Sequence, residues 1–508
     1  MWAIPINFAT ECLSRINMRN DFDKTVAMYR RRTILKSLAC AAAGVAVRAD
    51  RGLGRTFVSA DQEFFSRRPA AGQRRFVSDA IEAKIVEVKR AIADPELAWL
   101  FENCFPNTLD TTVTFGMREN RPDTYVITGD INAMWLRDST AQVTPYLPLA
   151  REDRKLKDLI AGVINRQTRC ILIDSYANSF DFGAKACPWG ENDKPPIRAE
   201  LCERKWEIDS LCYPVRLAHA YWKTTGDASC FHADWQQAAR RTVQTFREQQ
   251  RKKDAGPYSF QRTTDNPIDT PPFEGRGNPT RSVGLIHSGF RPSDDACLYP
   301  FLIPSNLFAV VALNNLADIF STELRDKSFQ RECRELAQEV NAAVDAYGKA
   351  RHAKHNFVYA YEVDGFGNQL FMDDANVPSL LSLPYLGCCA SDDATYLNTR
   401  AFVLSDDNPY FFRGQAGEGI GGPHVGLNMI WPLGIIMRGL TSLDDREILS
   451  CLKTLKTTHA GTGFMHESFE RNDPKKFTRS WFAWANTLFG ELVLKVHAER
   501  PQLLRHGV

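Results

Sequence analysis

Acidic residues at two places in this 508-residue chain have the types and surroundings that hydrolytic chemistry requires. Asp294 and Asp295 are adjacent, and Glu467 follows His466 in a glycine-containing stretch. One protonated and one ionised carboxyl group can act as general acid and general base. Adjacent acids also repel each other, which raises a pKa, as a catalytic acid requires. The alternative is that one aspartate caps a helix beside Ser293.

Two further polar segments could position a substrate. Arg137 and Asp138 follow Trp135, and an arginine beside an acid can hold vicinal hydroxyl groups by charge-assisted hydrogen bonds. The alternative is an ion pair that caps a helix starting near Ser139. Asp209 is open to the same two interpretations, because it lies where a helix N-cap is expected.

Other common catalytic motifs are missing from the sequence. There is no Cys-x-x-Cys pair and no His/Cys group at metal-ligand spacing, so a zinc site is not expected. Position 470 is Glu470, so His466 does not begin a His-Glu-x-x-His motif. The glycine-rich stretch 413–424 lacks the ending of a phosphate-binding loop, and no Gly-x-Ser-x-Gly elbow occurs. Hydrolysis by carboxylates, with no metal and no cofactor, is the chemistry that these residues favour.

Composition and charge exclude two classes of partner. The chain has 63 Lys and Arg against 61 Asp and Glu, and no long basic run, so nucleic acid is not expected to bind. With 44% hydrophobic residues the chain can form a large core, but it is too polar for stable membrane insertion. Cys12 and Cys40 precede the expected mature chain, which leaves eleven of the 13 cysteines, an odd number, so at least one has no intramolecular partner.

The first 50 residues are interpreted as a targeting segment rather than as part of the folded domain. Three arginines at 30–32 precede a short apolar run at 37–47, which resembles a twin-arginine export signal. Met28 is an alternative start, which would make the earlier residues an over-called beginning. We expect a periplasmic or extracellular protein, or a cytoplasmic one if the signal is not used. Residues 51–74 are predicted to form a polar linker before one catalytic domain at 75–508.

Apolar spacing predicts helices through this domain. Ile81, Ile85, Val88 and Ile92 share one helix face, as do apolar residues at 333, 336, 340 and 344. Further helices are predicted at 307–320, 446–455 and 482–496, and the best strand patterns are at 124–128 and 357–363. Many helices joined by long polar loops in one domain predict an all-α helical toroid rather than a bundle.

Taken in order, the polar segments resemble glycoside hydrolase family 125, the metal-independent exo-α-1,6-mannosidases. The matching stretches are 128–139, 207–214, 291–306, 373–387 and 466–469, spread over roughly residues 75–500. The resemblance implies an (α/α)6 barrel with long active-site loops. It also implies hydrolysis of terminal mannose from α-mannoside oligosaccharides or mannosylated glycans, with inversion at the anomeric carbon.

The same resemblance assigns roles to individual residues. Either Asp294 or Asp295 would be the general acid, and Glu467 the general base. Inversion leaves room for a water molecule, so these carboxyl groups should lie about 6.5–9.5 Å apart. The residues expected to bind the sugar are Trp135, Arg137, Asp138, Asp209, Arg291 and His466.

Two other functions remain open at this point. The first is a different helical-barrel carbohydrate enzyme, such as a glucosidase or a phosphorylase. A phosphorylase would need a basic pocket for phosphate near the base, and only Arg471 and Arg479 follow Glu467 closely. A non-catalytic sugar-binding protein is the second. Release of mannose from α-1,6-mannobiose would distinguish all three.

Overall fold

The computed structural model describes residues 64–181, 187 and 190–505. The predicted export signal lies outside these residues. Residues 64–74, which we predicted to be linker, instead pack on the domain: the Phe64 ring lies 5.2 Å from that of Trp99, and Arg68 forms an ion pair of 2.8 Å with buried Asp110. The folded unit therefore begins before residue 75, because polar residues there satisfy a buried charge.

Helices are the main regular structure of the described chain. In chain order they are α1 (Asp79–Ala91), α2 (Pro95–Cys104), α3 (Asn107–Thr111), α4 (Leu136–Val143), α5 (Arg154–Ile173), α6 (Asp209–Thr225), α7 (Ala233–Gln249), α8 (Ile303–Thr322), α9 (Lys327–Tyr347), α10 (Ala394–Val403), α11 (Pro432–Leu440), α12 (Asp445–Thr458), α13 (Ala483–Glu499) and α14 (Gln502–Arg505). Short 3-10 helices at Ala71–Gln73 and Thr144–Arg151 and a single turn at Pro272–Gly275 accompany them.

Six pairs of elements, each an outer helix followed by an inner element, form an (α/α)6 barrel. The outer helices are α2, α5, α7, α9, α10 and α12. Inner helix α4 contacts α6, α6 contacts α8, α11 contacts α13, and α13 contacts α4. The fourth inner element in chain order is a largely buried, turn-rich segment at 381–387, where Tyr385 hydrogen-bonds to Glu491 of α13 through its hydroxyl. The predicted fold class is confirmed.

Short antiparallel strands connect the loops above the barrel. They are β1 (Val113–Arg118), β2 (Arg121–Val126), β3 (Met134–Trp135), β4 (Ser179–Phe180), β5 (Leu201–Glu203), β6 (Phe301–Leu302), β7 (Lys349–His352), β8 (Asn356–Tyr359), β9 (Glu362–Val363), β10 (Gln369–Leu370), β11 (Phe411–Arg413), β12 (Glu418–Ile420), β13 (Met429–Ile430), β14 (Ser468–Glu470) and β15 (Asp473–Thr478). Three-stranded sheets have the orders β3-β4-β5, β10-β9-β6 and β13-β14-β15, and the other strands form two-stranded ribbons.

These strands fix where the inner helices begin. β3, β6 and β13 directly precede α4, α8 and α11. Trp135 of β3 pairs with Ser179 of β4, and Ile430 of β13 pairs with Phe469 of β14. The loops that carry polar residues are therefore connected across the mouth of the barrel rather than left independent.

Helix capping differs between the two layers. Five of the six outer helices begin after an aspartate whose carboxylate accepts a backbone N–H, as Asp94 does from Leu97 at 3.0 Å. The inner helices α4, α6, α8, α11 and α13 have no such cap and follow Trp135, Ile208, Leu302, Trp431 and Phe482. Uncapped helix N-termini carry partial positive charge, which favours acidic groups nearby.

Most predicted helices are confirmed, with shifted ends. The apolar face at residues 81–92 belongs to α1, and the faces at 333–344 and 307–320 belong to α9 and α8. The predicted strand 357–363 was wrong as one element, because it divides into β8 and β9, which lie in different sheets. α8 is long and apolar enough to cross a membrane by composition, but 72% of that window is buried inside the domain.

The described part of the chain contains eleven cysteines. Cys187 and Cys202 form a disulfide, and nine other described cysteines are free. Seven of those nine are buried, as expected for cysteines in a large core.

Candidate active site

A small cavity lies where the inner helices α4, α11 and α13 begin. Its volume is about 110 Å³. Its lining residues come from loops far apart in sequence: Thr128, Ile131, Trp135, Arg137, Asp138, Pro292, Ser293, Asp294, Asn376, His424, Trp431, Glu467, Arg479, Phe482 and Trp484. Larger clefts on the outer surface, one of about 700 Å³ beside α7 and α9, contain neither Asp294 nor Glu467.

Arg137, in the first turn of α4, is the central cation of this cavity. Its guanidinium lies 2.5 Å from Glu207, 3.1 Å from Asp209 and 3.8 Å from Asp294. The helix expected to start near Ser139 starts at Leu136, so Arg137 and Asp138 form the ion pair that the alternative interpretation expected, at 3.6 Å, but lie in the first turn and do not cap the helix. Asp138 instead accepts a hydrogen bond of 2.6 Å from the Thr128 hydroxyl.

Four carboxyl groups surround this single arginine, and their pKa values diverge. Burial raises the pKa values of Asp138 and Asp209, and it raises that of Glu207 well above its ordinary range. Burial also acts on Asp294, but the positive charges of Lys205 and Arg137 outweigh it and lower the pKa of Asp294. Divergent pKa values among neighbouring acids are typical of sites that separate acid and base roles.

The loop before α8 directs Asp294 into the cavity. Backbone N–H of Arg291 donates to the Asp295 carbonyl at 2.7 Å, which closes a tight loop. Asp294 has a φ of 66°, a left-handed conformation that is uncommon outside glycine and is found at functional sites. The Asp294 carbonyl accepts a hydrogen bond of 2.9 Å from Lys205. No helix follows this loop until Ile303, so the helix-capping alternative for the two aspartates is wrong.

Asp295 points away from the cavity. Its side chain is 3% exposed, against 26% for that of Asp294. Its Oδ1 atom lies 3.0 Å from Nδ1 of His424. Burial alone would lower the pKa of His424, but the hydrogen bond and charge of Asp295 raise it to about 9. His424 is therefore a cation on the cavity wall at neutral pH.

Glu467 lies directly before β14, on the wall formed by the 128–130 and 465–482 segments. Its carboxylate is 3.4 Å from Arg479, and the side chain is 14% exposed. Arg479 also donates to Asp130 at 2.8 Å and to the Thr128 carbonyl at 2.9 Å. These hydrogen bonds fix the position of Arg479, and Arg479 in turn holds the Glu467 carboxylate at the cavity wall.

Three residues predicted to bind the sugar do not line the cavity. Arg291 forms a buried ion pair of 2.6 Å with Glu362, and this pair holds the loop before α8 in place. His466 is 1% exposed and stacks on Phe477 with ring centroids 3.9 Å apart. Asp209 is fully buried behind Arg137 and also accepts from the Ser305 hydroxyl at 3.4 Å. Trp135, Arg137 and Asp138 do line it.

Several cavity residues were missed at the level of sequence. His424 ends the glycine-rich stretch that we noted only as lacking a phosphate loop, and Trp431 directly precedes α11. Asn376 lies two residues after Asp374, and its side-chain amide donates to the Asp374 carboxylate at 3.1 Å. The sequence gives only a weak indication of these three residues, because each is a single polar or aromatic residue in a loop rich in Gly, Pro or Asn.

Some buried polar atoms at this cavity have no hydrogen-bond partner among the described residues. They are the indole Nε1 atoms of Trp135 and Trp431 and the hydroxyl of Ser293. All three side chains line the cavity. Buried polar groups are nearly always paired in folded proteins, so these atoms suit a polar ligand rather than an apolar one.

One group of side chains in the described chain has the spacing of a metal site. His352, His355 and Asp407 offer ligand atoms within 4.8 Å of one another. None of them lines the cavity, and Asp407 already forms an ion pair with Lys354. This group therefore lies outside the candidate site.

Comparison with known proteins gives a consistent result. The family model of the metal-independent α-mannosidases (GH125) matches residues 94–494. The meiotically up-regulated gene 157 protein of Schizosaccharomyces pombe is 43% identical over 456 residues, which is 86% of this chain and 89% of that protein. A metal-independent α-mannosidase of Streptococcus pneumoniae, solved in a non-productive complex with α-1,6-mannobiose, superimposes with a TM-score of 0.81. It is 41% identical, and the match covers 84% of this chain and 100% of that one.

Proposed function

This chain belongs to the metal-independent α-mannosidases of glycoside hydrolase family 125, and from that premise we propose that it removes terminal α-1,6-linked mannose with inversion. The observation that carries the proposal is the presence of two carboxyl groups, Asp294 and Glu467, in separate electrostatic settings on one small cavity. The α-1,6-mannobiose bound by the Streptococcus pneumoniae relative supports the choice of linkage.

Asp294 is the general acid in this proposal. It is the member of the adjacent pair that lines the cavity, whereas Asp295 is held by His424. A sugar in the cavity would replace solvent at the Asp294 carboxyl, and loss of solvent favours the neutral acid. The neutral acid then protonates the glycosidic oxygen as the bond to the leaving sugar breaks.

Glu467 is the general base. It deprotonates a water molecule that attacks the anomeric carbon from the face opposite the leaving group. Arg479 lies 3.4 Å away and donates a hydrogen bond to the Glu467 carboxylate. Arg137 and the protonated His424 surround the same cavity and can hold sugar hydroxyls by charge-assisted hydrogen bonds.

The size of the cavity supports exo action. Sites for drug-sized ligands have volumes of about 300–1,000 Å³, and this cavity of about 110 Å³ suits a single ring at the end of a chain. Tryptophans 135, 431 and 484 on its walls can face the apolar C–H surface of a pyranose. We propose mannose-terminated oligosaccharides or glycans as substrates.

The test is a panel of mannobioses that differ only in linkage, incubated with the full chain in EDTA and followed by product analysis. Mannose released from the α-1,6 isomer, and slowly or not at all from the others, is expected. Phosphate-dependent formation of a mannose phosphate would indicate a phosphorylase instead. Binding of mannobiose without any cleavage would indicate a sugar-binding protein.

We also propose that the protein is exported through its arginine-containing amino-terminal segment. The proposal depends only on residues 30–47 of the sequence, which lie outside the described residues. Mass spectrometry of the native protein tests it: the segment should be missing, and a cytoplasmic protein that retains Met1 or Met28 would contradict export.

A further inference from the structure

Glu207 lies directly behind Asp294, on the side away from the cavity. Its side chain is fully buried, while that of Asp294 is 26% exposed. Both carboxyl groups also contact the guanidinium of Arg137, Glu207 at 2.5 Å and Asp294 at 3.8 Å. The side-chain amide of Asn178 lies within reach of both, 3.5 Å from Glu207 and 3.3 Å from Asp294.

Four carboxyl groups, those of Glu207, Asp209, Asp138 and Asp294, lie within 4 Å of Arg137. Lys205 and His424 add positive charge near Asp294, but Lys205 also pairs with Asp269 and His424 with Asp295. The acids outnumber the cations that face them, and repulsion between neighbouring carboxylates in a buried cluster keeps one of them protonated. Glu207 and Asp294 therefore form a pair that holds one proton and titrates as a unit.

The proton resides on Glu207 in the resting pair. Burial raises the pKa of Glu207, while Lys205 and Arg137 lower that of Asp294. The other titratable groups that face Glu207 are Tyr258 and Cys297, and burial raises the pKa of each, so both stay neutral. The Ser210 hydroxyl donates to Glu207 at 2.9 Å and fixes its orientation.

We propose that Glu207 is a positioning residue that stores the proton of the general acid and passes it to Asp294 when substrate is bound. This inference rests on the proposed function, in which Asp294 protonates the leaving group. It explains how an aspartate beside two cations can act as an acid near neutral pH. It assigns a task to a fully buried glutamate that touches no substrate.

The proton balance of the step is simple. The proton moves from Glu207 to the neighbouring Asp294 carboxyl group, which contacts the same Asn178 amide, and from Asp294 to the glycosidic oxygen as the bond to the anomeric carbon breaks. Glu207 is left ionised 2.5 Å from Arg137, which stabilises its negative charge. The attacking water gives its proton to Glu467, and one proton returns to the pair from solvent after the products leave.

The test compares Glu207→Gln with Glu203→Gln. Glutamine keeps the size of Glu207 and can still accept a hydrogen bond from Arg137, but it holds no titratable proton. Glu203 is a nearly buried acid that contacts the same Asn178 at 3.2 Å, but its main partner is Arg262 at 2.9 Å, with Lys205 farther away at 3.6 Å. Arg262 keeps a second partner, Asp193, at 2.7 Å, so the control variant should fold and remain active.

Two measurements on α-1,6-mannobiose and on an aryl α-mannoside with an acidic phenol decide the outcome. In Glu207→Gln the alkaline limb of kcat/KM should move to lower pH, and the rate above that limb should fall about tenfold for each pH unit by which the limb moves. The aryl substrate, which needs little protonation, should be affected far less. Equal losses on both substrates at every pH would overturn the inference and leave Glu207 a structural partner of Arg137.

Failure of the proposed function is a separate result, because wild-type protein would then release no mannose. If Glu207→Gln does not fold, neutron diffraction from deuterated wild-type crystals at neutral pH replaces it. A deuteron between the Glu207 and Asp294 carboxyl groups supports the inference. Two ionised carboxylates there would overturn it.

Discussion

Nδ1 of His424 lies 3.0 Å from Oδ1 of Asp295, and this contact separates the tasks of two adjacent aspartates. Asp295 is directed into the protein to hold a protonated histidine, while Asp294 faces the cavity with a φ of 66°. Neighbouring residues of the same type thus occupy different electrostatic environments. Substitution of one should therefore have consequences that substitution of the other does not.

Asp294→Asn should lower turnover of α-1,6-mannobiose by about 10²–10⁴-fold, because asparagine cannot donate the acid proton. An aryl mannoside with an acidic phenol should retain much of its rate. Asp295→Asn should not show this dependence on the leaving group. Steady-state kinetics on both substrates make the comparison, and leaving-group dependence in Asp295→Asn alone would exchange the two roles.

Glu467→Gln should lower turnover by about 10²–10⁴-fold on mannobiose and on the aryl mannoside alike. The base activates water in both reactions, so a good leaving group cannot compensate for its loss. Circular dichroism should show that the variant is folded, since Glu467 contacts Arg479 only at 3.4 Å and Arg479 keeps Asp130. Retained activity on either substrate would remove Glu467 from its proposed role.

The His424–Asp295 pair should make stability depend on pH in one direction. Because the pKa of His424 is raised to about 9, its contribution is full below the unfolded value of about 6.5 and is lost as pH rises through 9. The difference in Tm between wild type and His424→Asn should therefore shrink from about pH 6.5 to about pH 9. Asp295→Asn should reproduce the trend, and a difference independent of pH would mean that the pair is not charged.

A chain that starts at residue 75 should be less stable than one that starts at residue 64. The shorter chain lacks Arg68 and Arg74, which leaves the nearly buried Asp110 without its two cations. Removing one side of a buried pair costs about 3–5 kcal/mol in the free energy of unfolding. Urea denaturation measures the difference, and the longer chain carrying Arg68→Met should fall between the two. Equal midpoints would restore the linker interpretation of residues 64–74.

The helices of the barrel could be predicted from sequence because their apolar residues recur with the helical period. The apolar face of α1 repeats along one helix, and the sequence shows it without any partner. The start of α4 was harder to place, because Trp135 has no capping side chain and the helix begins where strand β3 ends. The strand at 357–363 failed for a related reason: two neighbouring segments pair with different partners.

The site was only partly predictable, since its contacts join distant residues. Asp295 and His424 are 129 positions apart, and Arg137 and Glu207 are 70 apart. Motif order identified Asp294 and Asp295 as a pair but could not separate their directions, which depend on one left-handed residue. Arg291 and His466 belong to the same motifs, yet their partners are Glu362 and Phe477, and neither lines the cavity.

The most direct test of the central proposal is the anomer released first. Wild-type protein in EDTA is mixed with the methyl α-glycoside of α-1,6-mannobiose, whose leaving sugar is methyl α-mannoside and cannot mutarotate, and proton NMR follows the anomeric signals of the released free mannose before mutarotation. β-Mannose should appear first, with α-mannose growing later only by mutarotation. α-Mannose as the initial product would show retention, and it would contradict the roles of Asp294 as general acid and Glu467 as general base.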